Sequence, residues 1–393
     1  MKNIAQMESK WLIHYSGDDY WHSLPHSRHH ITRQLNKHFA VLWVNPIGSR
    51  MPSLKKKGFG GKIIRKLRSI ARFLQKVNDG FYVVTFLTIP YFKAGKIQRT
   101  NSLLLKLQTR LACAWLKIDN PLLFYSSPIF ANTLGSIKNS FSVYYYSDQY
   151  TEYREFSAET KLFTETLDRK LYENVDLIMC ASQKIYDNVA AKTSKKVVYF
   201  PHQVDYNHFH NSIAEIPQDI QQIDKPIVGY YGSLSDSNDW EIIRYCATNR
   251  PQYNFVFIGR KDILDTGLEN LQNVFFLGKK TFSEIPAYGR AFDVGIMFWI
   301  RREWIINCSP LKLKEYLSIG IPVVSTYIEE VKQNYEGIVY TANDKETFLN
   351  YLDKAIKNKD TERIQMGFNK VKNDTWYNAV KIILYEMDQE KSL

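Results

Sequence analysis

The chain has 393 residues, of which 45% are hydrophobic and 23% are charged. This length and composition exclude a disordered or low-complexity protein and suit two domains, each with its own core. We expect neither a membrane span nor export, because no uncharged apolar run of about 18 residues occurs and the first residues lack the apolar stretch of a signal peptide. The four cysteines have neither zinc nor disulfide spacing, which favours a reduced, cytoplasmic protein without a metal site.

The positive charge is concentrated in the first half of the chain. The formal net charge is +12, and residues 1–205 hold 30 Lys and Arg against 15 Asp and Glu, whereas residues 206–393 hold 22 against 25. Cations are densest in residues 55–77, where the apolar positions 63, 67, 70, 74 and 77 recur at helical spacing. The pattern predicts a basic amphipathic helix, which either lies on an anionic membrane surface or is the solvated face of a packed helix. Nucleic-acid binding is not expected, because no recognised binding motif accompanies the charge.

Short apolar runs alternate with helix-length segments along the chain. In the first half they lie at residues 11–15, 41–44, 81–86, 122–125, 142–146 and 177–180. Such runs predict a parallel sheet that is covered on both faces, and therefore an α/β domain. The rhythm then restarts and predicts a second α/β domain, with runs at residues 197–200, 227–231, 255–258, 274–277, 294–297 and 322–325. Residues 201–205 and the polar stretch that ends at Pro226 are interpreted as hinge and linker.

Ligands of open parallel sheets bind beyond the carboxyl ends of the strands, so the loops after the predicted strands are candidate binding loops. These loops are residues 16–19, 147–149, 232–235 and 259–261, and the segment that leads into Ser309. Gly17 either lets the backbone approach a phosphate or an acceptor, or forms an ordinary turn. Asp148 either faces a sugar, or acts as a base toward an acceptor hydroxyl, or caps a helix.

A basic and histidine-rich cluster follows the first of these loops. It contains His26, Arg28, His29 and His30, and it is suited to an anionic acceptor near the entrance of the cleft expected between the two sheets. The spacing of the histidines is poor for a metal site, and the alternative is that they lie on the surface.

The most informative segment spans residues 307–326. Ser309 is suited to cap a helix, Pro310 to its first turn, and Gly320 to its exit into a buried strand. The free N–H groups at the start of such a helix form a site for phosphate, to which Lys312 adds a full charge. Glu315 lies off the apolar stripe of the helix, where it either accepts hydrogen bonds from a ribose hydroxyl pair or contacts only water.

This segment resembles the donor-site signature of retaining GT-B glycosyltransferases, the large family four, or group 1, and its relatives. Ser309-Pro310-Leu311-Lys312-x-x-Glu315 followed by a Gly-Ile-Pro-Val-Val-Ser-Thr run carries the resemblance. Further similarities occur at residues 200–209, at 227–233 with 238–240, at 270–278 and at 292–296. The second of these resembles a branch associated with cell-surface polysaccharides, including teichuronic-acid-type enzymes. The strong coverage is residues 200–330, and the N-terminal half matches more loosely, through Trp21 and residues 27–30 and 41–46.

The resemblance implies a GT-B fold, in which two Rossmann-like domains face each other across a cleft. Residues 1–205 would form the acceptor-binding domain and residues 206–375 the domain that binds a nucleotide sugar. Residues 376–393 would form a helix that crosses back to the first domain. Closure about residues 201–205 would exclude water from the reaction.

The resemblance also assigns roles to single residues. Glu315 matches the carboxylate expected to hold the ribose, and Asn307 falls where the family has a second carboxylate, so that an amide would contact the sugar hydroxyls. The loop that begins with Gly232 and Ser233 usually carries an Arg and a Lys for the diphosphate, but residues 232–240 contain no cation. The substitutes are, in order of preference, Lys312, Arg260 and the pair Arg301-Arg302. Charges fixed in this way stabilise the leaving group without a metal.

The resulting hypothesis is an enzyme that transfers a hexose from a nucleoside diphosphate sugar to a glycan or a lipid-linked glycan, with retention. It needs no cofactor besides this donor, and the basic segment would hold it at the inner face of the cell membrane. The catalytic residues would be Asp148, Asn307 and Lys312, and Leu311 and Pro310 would contact the donor beside Ser309. An alternative is a non-catalytic nucleotide- or glycan-binding protein of the same fold. A dinucleotide-dependent oxidoreductase is disfavoured, because no Gly-x-Gly-x-x-Gly follows a predicted strand.

Overall fold

A computed structural model describes residues 10–21, 26–45, 73–89, 96–147, 158–302, 305, 308–358 and 361–390. The chain divides into two compact units, one formed by residues 1–201 together with 380–393 and the other by residues 202–379. Three of the sequence predictions lie outside the described residues, namely those for Asp148, for Asn307 and for the basic segment up to residue 72.

Unit 1 is built on an eight-stranded sheet in the order β3-β4-β2-β1-β5-β6-β7-β8, in which only the β3–β4 pair is antiparallel. The strands are β1 (Trp11–Tyr15), β2 (Ala40–Asn45), β3 (Leu74–Asn78), β4 (Phe81–Thr85), β5 (Leu122–Tyr125), β6 (Phe141–Tyr146), β7 (Leu177–Cys180) and β8 (Lys196–Tyr199). The central strands β5, β6 and β7 are buried along their whole length. Burial on both faces explains why their sequences are continuous apolar runs rather than alternating ones.

Helices connect the strands of unit 1. They are α1 (Ser27–Leu35), α2 (Lys96–Leu116), a 3-10 helix (Pro128–Thr133), α3 (Ala158–Asn174) and α4 (Gln183–Ala190). The last helix of the chain, α13 (Trp376–Glu390), begins among the residues of unit 2 and from Val380 onward belongs to unit 1. Within unit 1, the Lys196 ammonium forms an ion pair with Glu386 of α13 at 2.5 Å.

Two sequence predictions for unit 1 are wrong. Leu74 and Val77 do not continue a helix, because they lie on β3, which forms a hairpin with β4 through a turn at Asp79 and Gly80. Hydrogen bonds to β4 override the helical spacing of these two apolar residues. The apolar run at residues 197–200 does not open the second sheet, because β8 pairs with β7 in the first.

Unit 2 is built on a six-stranded sheet in the order β11-β10-β9-β12-β13-β14, in which every pair is parallel. The strands are β9 (Ile227–Tyr231), β10 (Asn254–Ile258), β11 (Val274–Gly278), β12 (Val294–Met297), β13 (Val323–Thr326) and β14 (Tyr340–Ala342). Strand order reverses between β9 and β12, and ligands of such sheets bind at the carboxyl ends of the two strands where the order reverses. The α/β class predicted from the sequence is confirmed.

Helices also connect the strands of unit 2. They are α5 (Tyr206–His210), α6 (Gln218–Gln221), α7 (Trp240–Asn249), α8 (Ile285–Ala291), α9 (Leu311–Ile319), α10 (Glu329–Asn334), α11 (Lys345–Asn358) and α12 (Thr361–Val371). Helix α9 lies between β12 and β13 in the chain, and its second residue, Lys312, lies beside Gly232, which follows β9, so the helix begins at the carboxyl edge of the sheet.

A buried carboxyl group makes the stability of unit 1 depend on pH. Asp168 of α3 accepts hydrogen bonds from the hydroxyls of Tyr144 (2.5 Å) and Tyr146 (3.3 Å), and burial raises its pKa to about 7. This folded-state pKa exceeds the ordinary value of 3.8. The unfolding free energy therefore falls as the pH rises from about 4 to about 7. We therefore compare the unfolding free energy of Asp168→Asn with that of the parent by chemical denaturation. The difference should change by about 2 kcal/mol in favour of the variant when the pH is raised from 5 to 8. An equal difference at both pH values would contradict a raised pKa.

Candidate functional site

Two glycines open the carboxyl edge of the unit 2 sheet. Gly232 follows β9 with φ +145°, and Gly259 follows β10 with φ +152°. A Cβ added to Gly259 would overlap the carbonyl oxygen of Gly232, so only glycine fits there. The Gly232 N–H donates to the carbonyl of Ile258 at 2.8 Å. Gly232 therefore contributes space beside the strand end rather than a free donor.

Lys312 fills the edge of this space. Its Nζ atom lies 3.0 Å from the point where a Cβ on Gly232 would sit. The same ammonium lies 5.0 Å from the ring centroid of Tyr230 and 4.8 Å from that of Trp299, which are cation–π distances. Within the part of the chain that the structure describes, no carboxylate forms an ion pair with Lys312. The result is a positive charge that is held by two aromatic rings at the point where strand order reverses.

Helix α9 brings a second source of positive potential to the same place. It spans Leu311–Ile319, and its N-cap is Pro310 in an extended conformation, without a side-chain cap. The expected cap at Ser309 is wrong by one residue. Pro310 has no N–H, and the first backbone N–H groups of any helix lack partners within it. The Leu313 N–H bonds to the carbonyl of Pro310 at 3.2 Å. The N–H groups of Leu311 and Lys312 are therefore the donors of this helix that suit an anion. At the other end, Gly320 is left-handed with φ +88°, as predicted.

Glu315 lies one turn further along α9. Leu313, Tyr316 and Leu317 are buried, whereas Glu315 is half-buried. Burial raises the pKa of Glu315 to about 7, and the charge of Lys312 and the Tyr231 hydroxyl oppose this shift. The alternative of a Glu that contacts only water is therefore disfavoured. A desolvated carboxyl group beside a fixed cation is suited to a ligand with paired hydroxyls and negative charge.

Polar residues of unit 1 gather at the carboxyl ends of β1 and β6. The guanidinium of Arg28 forms an ion pair with Asp18 at 3.0 Å and donates to the Ser147 hydroxyl at 2.8 Å. A Cβ added to Gly17 would lie 3.3 Å from the same guanidinium. The structure therefore brings Gly17 and Arg28 together, but Arg28 is buried rather than presented to solvent.

The histidines of α1 differ from one another. His26 is the exposed N-cap, whereas His29 and His30 are buried. The alternative that the histidines lie on the surface is therefore wrong for His29 and His30. Burial lowers the pKa of His29 to about 4, which keeps it neutral near pH 7. Helix α1 packs this face onto the sheet, where His29 contacts Trp43 at 4.8 Å between ring centroids.

Comparison with known proteins identifies a family domain in unit 2. The family model described as "Glycosyl transferases group 1" matches residues 225–358, which contain the whole of the site in unit 2. The chain therefore contains a group 1 glycosyltransferase domain and has the GT-B fold. The putative teichuronic acid biosynthesis glycosyltransferase TuaH of Bacillus subtilis (strain 168) is 26% identical over 184 residues. That alignment covers 45% of this chain and 46% of TuaH, about half of each protein.

Solved GT-B structures resemble this chain over nearly its full length. Sucrose-phosphate synthase from Thermosynechococcus elongatus is 12% identical, with a TM-score of 0.70, and covers 98% of this chain and 99% of its own. HepE of Anabaena, solved in complex with UDP and glucose, is 17% identical, with a TM-score of 0.63, over 98% of this chain and 100% of its own. At these identities the similarity concerns the fold.

The other three cations that were predicted to contact the diphosphate each interact with a different residue of the domain. Arg260 is exposed and pairs with Asp262 at 2.7 Å, and the Arg302 guanidinium donates to the carbonyl of Asp236 at 3.1 Å. Arg301 lies over the ring of Tyr327 at 5.1 Å. Ser233 is exposed, and its carbonyl accepts from the Tyr230 hydroxyl. Lys312 is thus the best-placed cation beside Gly232.

Sequence reasoning missed the two aromatic residues that hold Lys312. Tyr230 lies at the end of β9 and Trp299 just after β12. Large aromatic residues at the carboxyl ends of two neighbouring strands were the available signal. The strand order that makes them neighbours was not evident without the structure.

Neither a metal site nor a membrane-spanning helix is found among the described residues. No group of three His, Cys, Asp or Glu side chains among them is arranged to hold a metal ion. No helix in the described part of the chain combines the length and apolar character needed to cross a bilayer.

Proposed function

We propose that this group 1 glycosyltransferase transfers a hexose from a nucleoside diphosphate sugar to a hydroxyl of a glycan or lipid-linked glycan, with retention at the anomeric carbon. The observation that carries the proposal is the Lys312 ammonium, held between Tyr230 and Trp299 beside Gly232 and the start of α9. A fixed cation and free helix N–H groups are the features that a pyrophosphate requires.

The donor would bind to unit 2 through its nucleotide. The diphosphate would lie at the N-terminus of α9, in contact with Lys312, Leu311 and the backbone near Ser309. The ribose hydroxyls would donate to the carboxylate of Glu315. In the reaction the bond between the anomeric carbon and the phosphate oxygen breaks, and a bond to the acceptor oxygen forms. The charge that develops on the departing phosphate would be stabilised by Lys312 and the helix terminus, which are in place before the reaction.

The remaining roles are proposed from the family resemblance. Asp148 would receive the acceptor proton or face the sugar, and the Asn307 amide would contact the sugar hydroxyls. In unit 1, His26, Arg28 and His30 would contact the acceptor, and Gly17 would let the backbone approach the donor phosphates or the acceptor. The ion pair between Arg28 and Asp18 would then orient this group rather than leave it as a free charge.

The biological setting follows from the relatives. TuaH is a putative teichuronic acid biosynthesis enzyme, which supports a role in cell-surface polysaccharide biosynthesis. HepE was solved with UDP and glucose, which supports a nucleotide sugar as donor. The proposed enzyme would use no cofactor besides this donor. Residues 55–72 of the basic segment would attach the enzyme to the inner face of the cell membrane from the cytoplasm.

The alternative is a non-catalytic nucleotide- or glycan-binding protein of the same fold. It is favoured by the Asn at position 307, where the family has a carboxylate, and by the lack of a cation in residues 232–240.

A donor screen distinguishes the two. We expect one of the UDP-, GDP-, ADP- or dTDP-sugars to raise the midpoint of thermal unfolding, because a ligand that binds only the folded state stabilises it. The same donor should then be consumed with release of nucleoside diphosphate. Stabilisation without any release would favour the binding protein, and no stabilisation by any donor would contradict both.

A further inference from the structure

Helix α2 of unit 1 exposes an apolar stripe. Leu103, Leu107, Leu111 and Trp115 follow one another at intervals of four residues, and their side chains are 69%, 53%, 54% and 73% exposed. At 1.5 Å per residue the stripe is about 18 Å long. Amphipathic helices of globular proteins direct such a stripe to the core, and α2 already has a separate buried face that includes Leu105, Ala112 and Cys113. The exposed stripe is therefore additional to what the fold requires.

The surface extends beyond the helix. The side chain of Asn101 exchanges hydrogen bonds with the backbone of Ile89 (2.8 and 2.9 Å), and Gln108 does the same with Leu87 (2.7 and 2.8 Å). These bonds hold the segment after β4 along α2. Leu87 and Ile89 are themselves exposed, and they enlarge the apolar area next to the stripe. Contiguous exposed apolar surface of this kind marks an interaction site.

The charges of α2 indicate what the surface binds. The helix contains Lys96, Arg99, Lys106 and Arg110, and it has no Asp or Glu. At 3.6 residues per turn, all four cations fall within about 60° of Leu103 around the helix axis, whereas Leu107, Leu111 and Trp115 follow one another away from them. The cations thus lie along one edge of the apolar stripe.

We infer that the exposed face of α2, together with Leu87 and Ile89, docks unit 1 onto an anionic lipid surface. The leucines and Trp115 would enter the boundary between head groups and acyl chains, and the cations would contact anionic head groups. A tryptophan at one end of the stripe suits this boundary, because its ring is amphipathic. A second copy of the chain would use the same apolar area, and this is an outcome of the test below. The inference is independent of the sugar-transfer chemistry and of residues 55–72.

Vesicle flotation tests the inference with the full chain. Vesicles of phosphatidylcholine alone are compared with vesicles that also contain phosphatidylglycerol. We expect the parent to float with the anionic vesicles and less with the neutral ones, and to float less as salt increases. Replacing Leu103, Leu107, Leu111 and Trp115 together by Ser should lower partitioning by about 100-fold or more, because affinity scales with the buried apolar area. Replacing Lys96, Arg99 and Lys106 by Gln should reduce binding chiefly to the anionic vesicles.

Matched controls keep the result interpretable. Ile213, Ile216, Leu264 and Met366 are exposed apolar residues of unit 2, and their replacement by Ser should leave flotation unchanged. The stripe variant should unfold at the same temperature as the parent, since the replaced side chains are exposed, and it should still release nucleoside diphosphate if the parent does.

Three results would overturn the inference. The first is that the parent fails to float with anionic vesicles. The second is that the stripe variant floats as well as the parent, whereas replacement of Arg65, Lys66, Arg68 and Arg72 by Gln abolishes flotation. The third is that the stripe variant converts a dimer to a monomer in sedimentation without a change in flotation, which would assign the surface to a second copy of the chain.

Discussion

Replacing Lys312 by Ala is expected to lower kcat/KM for the donor by about 100- to 1,000-fold, as for the loss of one fixed group that stabilises developing negative charge. The ammonium is held by Tyr230 and Trp299 beside Gly232, so it does not have to be reoriented when the donor binds. The measurement is steady-state release of nucleoside diphosphate with the donor identified in the screen.

Lys354 provides the matched control for this substitution. It also lies over an aromatic ring of unit 2, that of Tyr351 at 5.6 Å, but within α11 rather than at a strand end. Lys354→Ala should therefore retain parental kcat/KM. Equal activity of Lys312→Ala and the parent would remove Lys312 from the proposed mechanism.

Replacing Glu315 by Ala is expected to abolish the thermal stabilisation by the donor, because the ribose hydroxyls would lose their acceptor. Its pKa of about 7 adds a dependence on pH. The ionised fraction of such a group rises about tenfold between pH 6 and pH 8, so donor affinity of the parent should rise by up to about the same factor. The affinity of Glu315→Gln should be lower and constant across this interval, as measured by calorimetric titration. A parental affinity that does not change with pH would contradict the ribose role.

Ionisation of the same carboxyl group lowers the stability of the unliganded protein, although it raises the affinity for the donor. Its pKa in the folded state lies above the ordinary value of 4.5, so ionisation opposes folding as the pH rises from about 4.5 to about 7. Glu315→Gln should therefore be more stable than the parent at pH 8 by about 2 kcal/mol, and similar to it at pH 4.5. A residue that costs stability and is required for donor binding is a mark of a functional site.

The α/β fold could be predicted because buried parallel strands leave a simple trace in the sequence. Continuous apolar runs such as residues 122–125 and 177–180 coincide with β5 and β7. Strand β3 was missed because its apolar residues, Leu74 and Val77, also fit a helical period. Periodicity alone does not separate the two when only tertiary pairing with β4 decides.

The candidate site was predicted in part for a similar reason. The start and end of α9, at Pro310 and Gly320, follow from local backbone preferences, and the sequence located them to within one residue. The surroundings of Lys312 did not follow, because Tyr230 and Trp299 lie 69 residues apart in the sequence and meet only through the strand order. Burial of Arg28 was likewise unpredictable, since its partners Asp18 and Ser147 come from two different strand ends.

Calorimetric titration of a nucleoside and its diphosphate into the parent and Lys312→Ala tests most directly the claim that Lys312 and the start of α9 bind a pyrophosphate. UDP, GDP, ADP and dTDP are each compared with the corresponding nucleoside. For the preferred base, the diphosphate should bind the parent at least about 100-fold more tightly than the nucleoside, and Lys312→Ala should lose most of this increment while its nucleoside affinity is unchanged. An increment of the same size in both proteins would contradict the claim.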